Sequence, residues 1–95
     1  MVLHDKKMPV YTISITAQIL NCHPRTLRIY EEEGFVQPKR KNNIRYYSMV
    51  DIEQLRKIIA VMEKWRLNIY GMNAILTLAK KLKIDEDKII DLMLE

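Results

Sequence analysis

The stretch Cys22-His23-Pro24-Arg25-Thr26-Leu27-Arg28-Ile29-Tyr30-Glu31-Glu32-Glu33-Gly34 constrains this chain more than any other. Pro24 suits a first helical turn, where its missing N–H is no loss and its fixed φ is already near the helical value. His23 then stands at the cap, and Gly34 supplies the left-handed residue that ends a helix. Leu27 and Tyr30, three apart, share one side; Arg25 and Arg28, also three apart, share another. One side can anchor a core while the other offers two guanidinium groups, which is the form of a helix presented to the major groove of DNA.

What precedes this stretch supports a helix pair. Val10-Tyr11-Thr12 reads as extended, Ser14 as an N-cap, and Thr16, Ala17, Ile19 and Leu20 as one apolar stripe at helical spacing. Asn21 is suited to a left-handed stop. The small Ala17 allows a second helix to cross closely, and two short helices, a tight turn and basic residues on the second make a helix-turn-helix. Many structural helix pairs share that outline, so the flanking residues carry the decision.

After Gly34 the period changes. Phe35 and Val36 form a short β-like run stopped by Pro38. Lys39-Arg40-Lys41-Asn42-Asn43 and Ile44-Arg45-Tyr46-Tyr47 then read as a hairpin with a basic tip, because Asn-Asn can occupy positive-φ turn positions. The bland alternative is a solvated loop that carries lysines. Charge placement favours the hairpin as a wing: residues 37–47 hold Lys39, Arg40, Lys41 and Arg45 with no acid. Residues 85–95 instead hold Asp85, Glu86, Asp87, Asp91 and Glu95 against one Lys88.

The remainder reads as helix. Ser48-Met49-Val50-Asp51 has capping-box spacing with Asp in the usual place of Glu. Ile52, Leu55, Ile58, Ile59, Met62 and Trp65 follow a period of three to four through about Arg66. Asn68 caps a further helix lined by Met72, Ile75, Leu76, Ala79 and Leu82, and Asp85 a last short one with Ile89, Ile90, Leu92, Met93 and Leu94. Trp65 and the methionines at this spacing read as core. The expectation is a mainly α winged helix-turn-helix with a small two-stranded wing and four to five helices. It divides into a loose arm over residues 1–10, the winged-helix domain over 11–82, and a short C-terminal helix over 83–95.

A chain of 95 residues is one small domain, and its formal charge of +4 favours polyanions without requiring them. A single cysteine, Cys22, excludes an internal disulfide and a multi-thiolate metal site; it reads as a small core residue. His4 and His23 are too few and too isolated to suggest zinc, and no cofactor is expected. No apolar run reaches membrane-spanning length and no signal core follows Lys6 and Lys7, so the expectation is a cytoplasmic protein without a membrane partner. There is no Ser/His/Asp set and no glycine-rich phosphate loop, and enzymatic activity is not expected.

Tyr11-Thr12-Ile13-Ser14, Thr26-Leu27-Arg28-Ile29-Tyr30-Glu31, Gly34-Phe35-Val36, Arg45-Tyr46-Tyr47-Ser48 and Asp51-Ile52, in this order and spacing, resemble the DNA-binding domain of the MerR family of winged-helix transcription regulators. The likeness covers residues 11–78. His23-Pro24-Arg25-Thr26-Leu27-Arg28 and Asn68-Ile69-Tyr70-Gly71-Met72 are similar to the branch containing the heat-shock repressor HspR; the nitrogen-regulator branch shares the Asn-x-x-Gly segment.

The resemblance implies that Arg25, Thr26 and Arg28 face the major groove and its phosphates. Tyr30 would pack beneath the helix and lend its hydroxyl to a phosphate. Arg45, with Lys39, Arg40 and Lys41, would contact the backbone or adjacent minor groove. Arg28 could alternatively pair with Glu31 or Glu32 on its own helix, an exposed pair worth under about 1 kcal/mol.

It further implies a repressor acting on double-stranded DNA as a homodimer at an inverted-repeat operator, with a chaperone as co-regulator. Ile29 departs from the family where many relatives have a second aromatic, and Asn42-Asn43 replaces a glycine at the wing tip. The family usually continues into a long pairing helix, whereas this sequence ends at Glu95. Two rival readings use related folds: a chaperone-modulating protein that binds a J-domain co-chaperone, and a phage-type excision factor.

Overall fold

The computed structural model describes residues 5–95, with the order β1 (Tyr11–Thr12), α1 (Ile13–Leu20), α2 (Pro24–Glu32), β2 (Lys39–Lys41), β3 (Ile44–Tyr47), α3 (Met49–Trp65), α4 (Ile69–Lys81) and α5 (Glu86–Leu94). Residues 1–4 of the expected arm, His4 among them, lie outside the described residues. The chain falls into two compact units, residues up to Leu55 and Arg56–Glu95, and α3 begins in the first and ends in the second. Among the described residues no helix is long and apolar enough to cross a membrane. The architecture is the mainly α winged helix-turn-helix expected from the sequence pattern.

In the first unit the hairpin β2–β3 is joined by β1 on the other edge of β3, which makes a three-stranded antiparallel sheet in the order β1-β3-β2. Tyr11 pairs with Tyr47 and Thr12 with Tyr46. This pairing moves the start of α1. Thr12, extended at the end of β1, accepts a hydrogen bond on Oγ1 from the Ile15 N–H, so it is the cap and Ser14 lies inside the helix. The buried side of α1 is Thr16 and Ala17, while Ile19 of the expected stripe is exposed.

Asn21 is left-handed at φ 55°, as its position suggested. It ends α1 with two bonds, Cys22 N–H to Ala17 O and Asn21 N–H to Gln18 O. The same paired pattern closes α2 at Gly34, α3 at Arg66 and α4 at Lys83. Only one of these four left-handed residues is a glycine. Phe35 and Val36 are not a strand: they follow the Gly34 turn directly and both side chains are buried, Phe35 against Tyr30 of α2.

Ser48 and Asp51 form the expected box reciprocally, Ser48 N–H donating to Asp51 Oδ2 at 2.9 Å and Asp51 N–H to Ser48 Oγ at 3.1 Å. Lys6 meets the same helix start, its carbonyl accepting from Val50 N–H and its Nζ standing 3.1 Å from Glu53 Oε1. The core of this unit comprises Thr16, Ala17, Leu27, Tyr30, Phe35, Val36, Tyr47, Ile52 and Leu55.

The second unit packs the C-terminal part of α3 with α4 and α5 around Ile58, Val61, Met62, Met72, Ala79 and Ile90. Asn68 and Asp85 cap α4 and α5 as expected, accepting from Gly71 N–H and Asp87 N–H, both at 2.8 Å. Two sequence expectations fail here. Trp65 is 53% exposed because it sits in the last turn of α3, with its indole N–H donating to the Met93 carbonyl at 2.8 Å. Leu82 is the exposed C-cap of α4 rather than part of its buried stripe.

Candidate nucleic-acid interface

The geometry of α2 follows from its ends. His23 Nδ1 accepts from the Arg25 N–H at 3.0 Å, Pro24 occupies the first turn, and Gly34 at φ 81° closes the C-terminus. There Phe35 N–H donates to Tyr30 O at 2.9 Å and Gly34 N–H to Glu31 O at 3.0 Å. The rings of Tyr30 and Phe35 lie 5.6 Å apart between centroids, the apolar contact that accompanies this kind of helix end. Both rings are buried, and with the fully buried Leu27 they fix the inner side of the helix.

Arg25 and Arg28 remain on the outer side, exposed, and neither makes a salt bridge among the described residues. Thr26 is half-buried between them. Tyr30 is 7% exposed, which suits the packing role expected for it beneath the helix.

The wing is a two-residue hairpin with Asn42 at φ 53° and Asn43 at φ 65°, both in the left-handed region, as a tight turn matched to strand twist requires. Its register pairs Lys39 with Tyr46, Arg40 with Arg45 and Lys41 with Ile44. Side chains alternate across a strand, so Lys39, Lys41, Ile44 and Tyr46 share one face while Arg40, Arg45 and Tyr47 share the other. Lys39 and Lys41 are exposed and make no salt bridge among the described residues.

The two wing arginines are engaged. Arg45 Nε donates to Glu31 Oε1 at 2.6 Å, and Arg40 Nη2 to Glu31 Oε2 at 3.3 Å. Glu31 is therefore not paired with Arg28, the local alternative open to the sequence; it joins α2 to the wing. Burial raises the pKa of its carboxyl, but hydrogen bonds and charge from Arg45 and Arg40 outweigh that and leave it below the usual glutamate value.

Beside this group Tyr47 is fully buried, and burial, followed by the Glu31 charge, pushes its hydroxyl up to about 12. Among the described residues neither Tyr47 Oη nor the buried Thr16 Oγ1 has a hydrogen-bond partner. Cys22, half-buried in the turn between α1 and α2, has its thiol pKa raised by burial, which disfavours the reactive thiolate.

Residues 11–78 match the profile of the MerR HTH family regulatory proteins. The chain belongs to the MerR family. A Streptomyces coelicolor protein carrying the name heat shock protein HspR is 41% identical over 71 residues, which cover 74% of this chain and 47% of that protein. The chain thus spans about half the length of the curated relative it matches. The matched MerR segment contains the whole of α2, the wing and most of α4, so every candidate contact residue lies inside it.

The expected resemblance to DNA-binding transcription regulators of the MerR family, on the HspR-like side, holds. Of the residues expected to meet DNA, Arg25, Thr26, Arg28 and Tyr30 lie on α2, and Lys39, Arg40, Lys41 and Arg45 lie on the wing. Sequence reasoning missed Glu31 as the group that joins the two. A signal was present: Glu31 lies four residues after the buried Leu27, on the inward side of the helix.

Proposed function

We propose that this chain binds double-stranded DNA sequence-specifically and acts as a transcriptional repressor of the HspR kind. Helix α2 enters the major groove, with Arg25, Thr26 and Arg28 toward base edges and phosphates. Lys39 and Lys41 lie along the flanking backbone or minor groove. Tyr30, resting on Phe35, supports the helix from beneath. The observation that carries this reading is the exposed Arg25–Arg28 edge, without a salt bridge among the described residues, on a helix whose opposite side is locked into the core. Arginine can pair bidentately with guanine or phosphate, and lysine adds sequence-independent attraction.

A pair of chains on an inverted-repeat operator would place two α2 helices in successive major grooves, with a chaperone as co-regulator of the pair. If each subunit neutralises about three or four phosphates, the log–log salt dependence of binding has a slope of roughly −5 to −7. Fluorescence anisotropy on selected genomic fragments at several salt concentrations measures it. Lys39→Ala and Lys41→Ala weaken binding to all sequences alike and flatten the slope. Association indifferent to salt would remove the DNA reading and favour a protein-binding module.

A further inference from the structure

Glu31 is an anomaly for a helix that faces DNA. A carboxylate near the groove repels phosphate, and in the last turn of α2 it also opposes the helix dipole, with no basic residue in that turn to offset it. Its position is explained by the wing. Arg40 and Arg45 are directly opposite one another across β2–β3, a like-charge pairing that by itself destabilises a hairpin. Both turn toward Glu31, one to each carboxylate oxygen.

The closer contact, Arg45 at 2.6 Å, is also the more sheltered, with both side chains 23% exposed; Arg40 is half exposed. A planar guanidinium bonded through Nε has a defined orientation, which a flexible ammonium does not. Glu31 and Arg45 are 14 positions apart in the chain, with the Gly34 turn and the loop before β2 between them. This bridge is therefore a tertiary tie between the two elements that carry the exposed cations.

We propose that Glu31 is a positioning residue for DNA recognition: through Arg45, and secondarily Arg40, it sets the placement of the wing relative to α2. Arg45 and Arg40 then act on Glu31 rather than on DNA, and the direct cationic contacts are Arg25, Arg28, Lys39 and Lys41. This rests on the DNA-binding function proposed above. The carboxylate lowers general attraction to DNA in exchange for a wing held at one spacing, so its effect appears in discrimination between sites.

The test is Glu31→Gln, with Arg45→Lys as a second variant, read in two ways. Without DNA, amide hydrogen exchange in β2 and β3 should accelerate in both variants, while the exchange of the α4 and α5 amides stays as in wild type. With DNA, Glu31→Gln should lose about tenfold affinity for the selected site, the order expected for a lost charge-assisted contact. It should gain roughly two- to fivefold on random DNA, with a salt slope steeper by about 1 as a freed arginine reaches phosphate.

A purely structural defect would not raise affinity for random DNA. Arg45→Lys keeps the charge and loses the fork, so it should reproduce the loss of specificity; near-normal specific binding by this variant would mean that Arg45 serves as a phosphate contact and would overturn the proposal. Unchanged wing exchange in Glu31→Gln would overturn it as well. If the wild-type protein bound no DNA, the proposed function would fail on that result alone, while the exchange measurement would still decide whether Glu31 holds the wing.

Discussion

Replacing Tyr47 by phenylalanine should make this protein more stable, although Tyr47 is among its most buried side chains. The ring is fully enclosed, yet the hydroxyl has no partner among the described residues and stands near Glu31 and Asp51. Leaving a buried hydroxyl unbonded costs about 1–3 kcal/mol, and its removal takes away one polar atom while the ring stays packed. Allowing for the small void, Tyr47→Phe should gain on the order of 1 kcal/mol at neutral pH, a rise in Tm of about 4–8 °C for a domain of this size.

The pH dependence gives a second reading of the same atom. The folded pKa of about 12 is above the ordinary value of 10.0, so the fold favours the neutral phenol. That contribution is whole below the unfolded pKa and is lost as pH rises through the folded one. Between those limits the wild type should lose stability faster than Tyr47→Phe by about 1.4 kcal/mol per pH unit. Urea unfolding of both proteins from neutral to alkaline pH, with tyrosinate absorbance followed alongside, measures the two effects. A variant less stable at neutral pH by more than about 1 kcal/mol, with an unchanged alkaline profile, would show that the hydroxyl is satisfied and refute the reasoning.

Arg25→Ala or Arg28→Ala should cost about 1–3 kcal/mol on the selected site and less on random DNA, measured by anisotropy; equal losses on both would make these arginines phosphate anchors. Ser48→Ala removes one half of the box at the start of α3 and should cost about 1 kcal/mol in urea unfolding with an unchanged m-value. Gly34→Ala should cost on the order of 1 kcal/mol from backbone strain alone, since a Cβ there meets no atom of the described residues within 4 Å. Conversely, Lys83→Gly, at φ 58°, should gain a few tenths of a kcal/mol to about 1 kcal/mol, with thermal melting as the measurement for both changes. Sedimentation over a concentration series should show weak self-association that firms on an inverted-repeat operator, through apolar residues of α5 such as the exposed Leu92; a strict monomer on single half-sites would count against it.

Features that depend on neighbours in the chain were legible in the residues alone. His23-Pro24 and Gly34 set the ends of α2, Ser48 and Asp51 the start of α3, and Asn42-Asn43 the wing turn, because each acts on backbone groups within a few residues. The spacing of Leu27, Tyr30, Arg25 and Arg28 likewise separated a buried side from a cationic one.

Other features follow from contacts between distant parts of the chain. Thr12 rather than Ser14 caps α1 because Tyr11 and Thr12 pair with a strand more than thirty residues away. Arg66 and Lys83 accept left-handed backbone without being glycine or asparagine, since the next helix must begin at a place that packing dictates. Trp65 has the right period for a core residue but falls at the end of its helix, where its ring is only partly covered. Glu31 was legible as an acid beside Arg28, and Arg40 and Arg45 as members of a basic wing. Their union required the strand register that turns both arginines to one face and the Gly34 turn that brings that face to α2. Local chemistry is written in residue spacing, whereas a contact across many residues depends on how the elements dock, which no short window of sequence contains.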